Sequence, residues 1–136
     1  MKGDTGRWLA FAKANLGAAR CVFENGYFNP CLQEAQQAIE KMLKALLIET
    51  SDEFKKTHSI REIRELLKRQ GVVVALDDEE CAFLDAIYLP SKYPLGSILP
   101  DGEPDAAQCE WCLSIAGRVL DDVLRLLEPE KQKKSS

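Results

Sequence analysis

The chain is 136 residues long, 46% hydrophobic and 29% charged, the size and composition of one compact domain able to bury a core. Its net charge of −4 and sequence pI near 5.1 exclude a protein that coats nucleic acid through bulk charge, while leaving room for a local basic patch. The longest apolar run is far short of a membrane span, no signal peptide opens the sequence, and five cysteines is an odd number, so a reduced, soluble, cytoplasmic protein is expected.

Asp4 is placed to cap a first helix with an expected apolar stripe of Trp8, Phe11, Ala12, Leu16, Ala19, Val22 and Phe23. Asn25 and Gly26 end it, and Tyr27 and Phe28 are expected to close the end of the core. A second, longer helix starts at Asn29, a good N-cap, followed by Pro30, whose missing N–H has no intrahelical partner in a first turn. Cys31, Ala35, Ile39, Met42 and Leu46 share one side, with Ala38 and Ala45 beside them; Gln33, Gln37, Glu40 and Lys44 fall on the other. Glu40 and Lys44 form a favourable i, i+4 pair on that polar side. So brief a link between the two helices predicts an antiparallel hairpin.

The pattern breaks over the polar stretch from Ser51 to Lys56, which leads to Thr57 and His58, the only histidine. Ser59 and Glu62 predict a capping box for a shorter third helix, Ile60 to about Arg69, ended by Gly71. Lys55, Lys56, Arg61, Arg64, Lys68 and Arg69 crowd this region, either as a solvated helix face or as a phosphate-facing patch. Val72 to Ala75 reads as an extended link, since no second strand-like run exists to pair with it. Asp77 and Glu80 form another capping box, and Cys81, Leu84, Ile87 and Tyr88 give a fourth helix its buried stripe. The acidic cluster there suits a helix N-terminus rather than a metal.

Four prolines and two glycines between Leu89 and Pro104 stop any helix and predict a long loop. The last helix, Asp105 to about Glu128, carries Cys109, Leu113, Ala116, Leu120, Val123 and Leu127 at spacings of three and four, with Cys112 and Val119 widening the seam. From Pro129 the tail is charged and lacks apolar anchors. The expected organisation is one domain over residues 1–128 and a disordered tail over 129–136. The expected fold is all-α: an up-and-down four-helix bundle with an additional short helix and a long loop before the last helix.

Three segments in order, QQAIEKMLKALL (Gln36 to Leu47), KTHS (Lys56 to Ser59) and YLPSKYP (Tyr88 to Pro94), resemble the HEPN domain of prokaryotes, and the resemblance covers nearly the whole chain. It implies a small helical bundle that commonly forms a homodimer. HEPN ribonucleases resemble one another in an arginine four to six residues before a histidine. Here the residues ahead of His58 are Ser51, Asp52, Glu53 and Phe54, with no arginine among them, so the pattern is absent and no catalytic residue is carried over. Lysines 55 and 56 lack the planar fork of guanidinium. The resemblance therefore implies a non-catalytic or accessory HEPN module, binding a nucleotide such as ATP or GTP, a small partner nucleotidyltransferase, or both, in a toxin–antitoxin-like system. The alternative is a divergent metal-independent ribonuclease using His58 with a lysine.

The candidate nucleotide- or phosphate-binding residues are Lys44, Lys56, His58, Tyr88, Lys92 and Tyr93. Tyr88, Lys92, Tyr93 and Pro94 match the family's Y-x-x-x-[RK]-Y-P pattern, with lysine where arginine is commoner. Lys92 could meet a phosphate while a tyrosine stacks on a base, or these residues could pin the loop and cap the fourth helix. Lys41 and Lys44 read equally as solvated surface, and His58 as a helix-entry residue with local hydrogen bonds. Trp111, on the charged side of the last helix, and Arg61 and Arg64 are candidates for a partner surface. Cys21, Cys31 and Cys81 are expected in the core. Cys109 and Cys112 share a helix face but lack the second ligand pair of a zinc site, so no metal and no cofactor is expected.

Overall fold

The computed structural model describes residues 1–51, 56–88 and 104–127. They form five helices: α1 (Gly3–Glu24), α2 (Phe28–Ser51), α3 (Ile60–Arg69), α4 (Asp78–Tyr88) and α5 (Ala106–Leu127). No strand occurs among the described residues, and the protein is an all-helical bundle. The proline-rich segment 89–103, which includes Lys92 and Tyr93, and the tail 128–136 lie outside the described residues.

α2 is the axis of the bundle and packs against all four other helices. Leu32, Ile39, Met42, Leu43 and Leu46 are all at most 1% exposed, and burying each such side chain stabilises the fold by about 1.5–3 kcal/mol. α1 runs antiparallel to it, pressing Thr5, Leu9, Ala12, Leu16 and Ala19 inward at spacings of four and three. That line differs from the expected stripe. Phe11 is 59% exposed, because the inward line passes through Leu9 and Ala12 and leaves position 11 on the flank, near Lys41. Cys21 and Tyr27, also expected inside, are exposed, while Phe28 tilts against Phe23.

Turns and caps follow local chemistry. Gly26 and Gly71 adopt φ of 81° and 78°, where a side chain would be strained. In each case two backbone bonds close a Schellman motif: Gly26 and Tyr27 donate to Phe23 and Val22, and Gly71 and Val72 donate to Lys68 and Leu67. Asp77 with Glu80, and Asp105 with Gln108, make reciprocal capping boxes. At α3 the box is half made: Ser59 Oγ accepts from Glu62 N–H, but the Glu62 carboxylate turns to Thr57 Oγ.

Other caps come from distant residues. Asp85 on α4 accepts from Ile60 N–H at 2.6 Å and from Ser59 Oγ at 3.0 Å, so one helix's carboxylate holds the start of another. Glu49 at the end of α2 accepts from Lys2 N–H and Thr5 Oγ1, both at 2.9 Å, fixing the start of α1. Asp122 on α5 accepts from Ala75 N–H in the extended link. Arg118 on α5 pairs with Glu80 on α4 at 2.6 Å. In α5 itself Cys112, Ile115 and Val119 lie fully inside while Leu113, Leu120 and Leu127 are half-buried, so the seam is rotated from the expected line toward the residues expected only to widen it.

Asp85→Ala is expected to lower stability by about 1–2 kcal/mol, the usual cost of losing a helix cap, read as a lower urea midpoint at unchanged slope. The Lys2 N–H bond, helped by Thr5 Oγ and the nearby positive amino terminus, holds the Glu49 carboxyl below its ordinary value of 4.5. The stabilisation is therefore present above that value and lost as pH falls through the lower folded value. Glu49→Gln is expected to be less stable than wild type at neutral pH, with the gap closing in acid; melting curves between pH 7 and pH 3 measure it.

Candidate functional site

Only part of the polar side of α2 faces solvent. Gln37 is exposed and Gln33 half-buried, as expected of that side, but Glu40 and Lys44 are 7% and 4% exposed. Lys44 Nζ lies 3.0 Å from Glu40 Oε2 and 5.8 Å from the centre of the Trp8 ring on α1. The reading of Lys44 as solvated surface is corrected by this burial. α2 carries apolar residues on the α1 and α5 sides, and the chain around α3 and α4 then folds over what remains.

His58 closes that cover. Its Nδ1 lies 3.0 Å and 3.2 Å from the two carboxylate oxygens of Glu40, and its ring stacks on Tyr88 at the end of α4, 4.7 Å between centroids and 20° from parallel. The expectation that His58 serves local hydrogen bonds at the helix entry is thereby overturned: Ser59 takes the cap, and the imidazole reaches across to α2. Asp85 determines the arrangement, because it pins Ser59 and Ile60 and so sets where residue 58 stands. Gln33 Nε2 donates to the Ile87 carbonyl, tying the end of α4 to α2.

Between these elements lies a cavity of about 450 Å³. Trp8, Tyr88 and His58 supply its flat surfaces; Lys41, Lys44 and Lys56 supply cations, against one carboxylate, Glu40, among the described lining residues. Lys41 Nζ is steadied by Asn15 Oδ1 at 2.7 Å, and Asn15 in turn donates to Glu34. Gln36, 1% exposed, also lines the cavity. A buried carboxylate fixed between a lysine and an imidazole is held rigidly, because each partner satisfies a charge that would otherwise be costly to bury.

Of the six binding residues expected from sequence, the structure brings Lys44, Lys56, His58 and Tyr88 to this one cavity, while Lys92 and Tyr93 lie outside the described residues. Trp8, Gln36, Glu40 and Lys41 were not assigned to the site. The Glu40–Lys44 pair was visible as helix chemistry, but nothing local says that a helix face of alternating charge is covered.

The residues expected to form a partner surface stand apart from the cavity lining. Arg64 pairs with Asp78 at 2.6 Å and with Glu65, and donates to the Leu76 carbonyl, while Arg61 donates to the Asp78 carbonyl. These bonds fasten α3 to the start of α4. The Arg64 guanidinium holds the Asp78 carboxyl below its ordinary range. Trp111 is 38% exposed and stacks on Phe83 of α4 at 4.2 Å. Cys31, Cys109 and Cys112 meet in the core, where burial pushes the thiols up, Cys109 to about 12; they are protonated packing residues rather than nucleophiles. Among the described residues no group of three or more histidine, cysteine or acidic side chains is arranged to hold a metal ion.

A carboxylate can only accept, so in neutral His58 the Glu40 contact places the proton on Nδ1 and leaves Nε2 as the basic nitrogen. Nitrogen chemical shifts of the single histidine are expected to show that tautomer in wild type, and Glu40→Leu is expected to shift the balance toward the Nε2–H form that dominates free imidazole side chains.

With this geometry in view, the comparisons with known proteins are consistent. The model of the HEPN domain matches residues 5–127. The crystal structure of TT1696 from Thermus thermophilus is 27% identical, with a TM-score of 0.72 over 91% of this chain and 98% of that one. ST0689, an archaeal HEPN homologue, shares the fold at 22% identity and a TM-score of 0.60, over 94% of this chain and all of its own. No curated protein matches the chain. Among the described residues no helix is long and apolar enough to cross a membrane. With 123 consecutive residues matched, the chain belongs to the HEPN domain family.

Proposed function

We propose that this chain is an accessory HEPN module that binds a nucleotide in the α1–α2–α4 cavity and works beside a small nucleotidyltransferase, as one half of a toxin–antitoxin-like pair. The observation that carries the binding reading is the lining of one half-open cavity: three lysines against a single glutamate, with Trp8 and Tyr88 as flat walls. Phosphates take charge-assisted bonds from lysines, and any base stacks on an aromatic face. A cavity of about 450 Å³ is in the range of small-ligand sites and far too small for a folded polymer.

The absence of an arginine ahead of His58 supports binding over cleavage, because residues 51–54 read Ser-Asp-Glu-Phe. The partner enzyme and a homodimeric assembly rest on family membership. The Glu40–His58 contact gives the ribonuclease alternative its one support, since a carboxylate-oriented imidazole is a competent general base.

Calorimetry with ATP and GTP at fixed salt is the direct test. Wild type is expected to bind at least one of them, and Lys56→Ala to weaken binding about five- to tenfold, less than a buried charge-assisted hydrogen bond would cost because this side chain is exposed and screened by solvent. No heat with either nucleotide at millimolar concentration would remove the nucleotide from the proposal. Incubation with RNA in chelator, beside a His58→Ala control, is expected to give no cleavage; His58-dependent cleavage would overturn the accessory reading in favour of the ribonuclease.

A further inference from the structure

His58 is held by one ring nitrogen and open at the other. Its Nδ1 meets both oxygens of the Glu40 carboxylate, while among the described residues no group bonds its Nε2. A carboxylate only accepts, so the Nδ1 proton stays in place whether the ring is neutral or cationic, and the proton that the ring gains or loses is the one on Nε2. The side chain is 46% exposed and lines the cavity, so the ring can exchange that proton with solvent. Few titratable groups face it. α2 brings Glu40, with Lys44 bonded to the same carboxylate and Lys41 further along the cavity wall. α4 brings the Tyr88 ring and, one turn earlier, Asp85, which is engaged by the start of α3. α1 brings the uncharged Trp8, and Lys56 stands on the histidine's own segment, where Glu62 is engaged by Thr57. Of these residue types only imidazole ordinarily changes charge between about pH 6 and pH 8.

We propose that the cavity takes up a proton on Nε2 of His58 together with its anionic ligand, so that occupancy is controlled by pH; this rests on the reading of the cavity as a nucleotide site. As a neutral ring, His58 offers a phosphate only the lone pair of Nε2, which repels its oxygens. As a cation, the same atom is a donor and adds a positive charge to those of the three lysines. Glu40 makes the two states differ. Without it a neutral ring could carry its proton on Nε2 and meet the ligand as a donor at any pH; the carboxylate at Nδ1 removes that option. A bound anion therefore tightens the ring's hold on the Nε2 proton and raises the midpoint of its titration. The gain in affinity is fully present below the midpoint of the free protein and is lost as pH rises through the higher midpoint of the complex.

The test reads the same proton in two ways. Calorimetry of ATP, GTP and inorganic tripolyphosphate into wild type and His58→Gln, from pH 6 to pH 8 in pairs of buffers of different ionisation enthalpy, measures affinity and the protons taken up. Glutamine keeps a donor for Glu40 but cannot titrate, so the variant shows only the ligand's own titration and serves as the baseline. Relative to that baseline, wild-type affinity is expected to fall about tenfold from pH 6 to pH 8, with uptake of up to about one proton per ligand. Nitrogen chemical shifts of the single histidine give an independent reading on wild type alone, where saturating ligand is expected to raise the titration midpoint by about one pH unit. Equal pH dependence in wild type and His58→Gln, or a histidine midpoint that the ligand does not move, would overturn the proposal while leaving nucleotide binding in place. Tripolyphosphate tests the coupling even where neither nucleotide binds. Failure of all three anions to bind wild type at any pH would remove the nucleotide reading, and the proton coupling with it.

Discussion

The carboxylate of Glu40 is the constraint around which the rest of this protein closes. It sits on the central helix at 7% exposure, and a negative charge that deep persists only with partners of opposite or adaptable charge within hydrogen-bond reach. One partner, Lys44, comes from the same helix and needs only the right spacing. The other, His58, comes from eighteen residues on and must be delivered by the fold. His58, just ahead of α3, therefore stands over α2, and Tyr88 at the end of α4 stacks on its imidazole. The cavity is what remains between this closed corner and Trp8 on α1.

Delivery depends on carboxylates acting at a distance. Asp85 caps α3 from α4, Glu49 caps α1 from the end of α2, and Asp122 on α5 receives the Ala75 amide of the link. Each satisfies backbone N–H groups at a helix start or in irregular chain, which would otherwise lack partners. A cap supplied in this way couples two helices, since neither end is complete until the other is in place. Asp85 matters most for the site, because it fixes the residues next to His58. Arg64 and Arg61 complete the same joint from the other side through Asp78.

How much of this was legible in the sequence follows from the range of each interaction. Gly26, Gly71 and the capping boxes at Asp77 and Asp105 act within one turn, so residue type and spacing sufficed. The apolar line of α2 was equally plain. Phe11 was misplaced because periodicity gives a stripe its width but not the azimuth of its centre, and the same ambiguity rotated the seam of α5. The burial of Glu40, Lys44 and Gln36 was invisible for a different reason. A helix that touches four neighbours buries faces that its own sequence marks as polar, and only the packing of the other helices reveals it. The motif resemblance located Lys44, Lys56, His58 and Tyr88 without showing what Glu40 adds between them.

The distribution of charge bears on what such a site can hold. The whole chain is acidic, at −4, yet the lysines of the cavity outnumber its one described carboxylate by three to one. A long polyanion would have to approach a net repulsive surface and gain only the few contacts the cavity allows, whereas its affinity for protein ordinarily grows with the number of phosphates neutralised at once. A small anion meets the opposite balance. It is little affected by distant surface charge at physiological salt, where screening acts over about 8 Å, and it meets all three lysines that line the cavity. Charge balance therefore favours a ligand of one to three phosphates over a nucleic-acid strand, and the flat walls of Trp8 and Tyr88 favour such a ligand with a base attached.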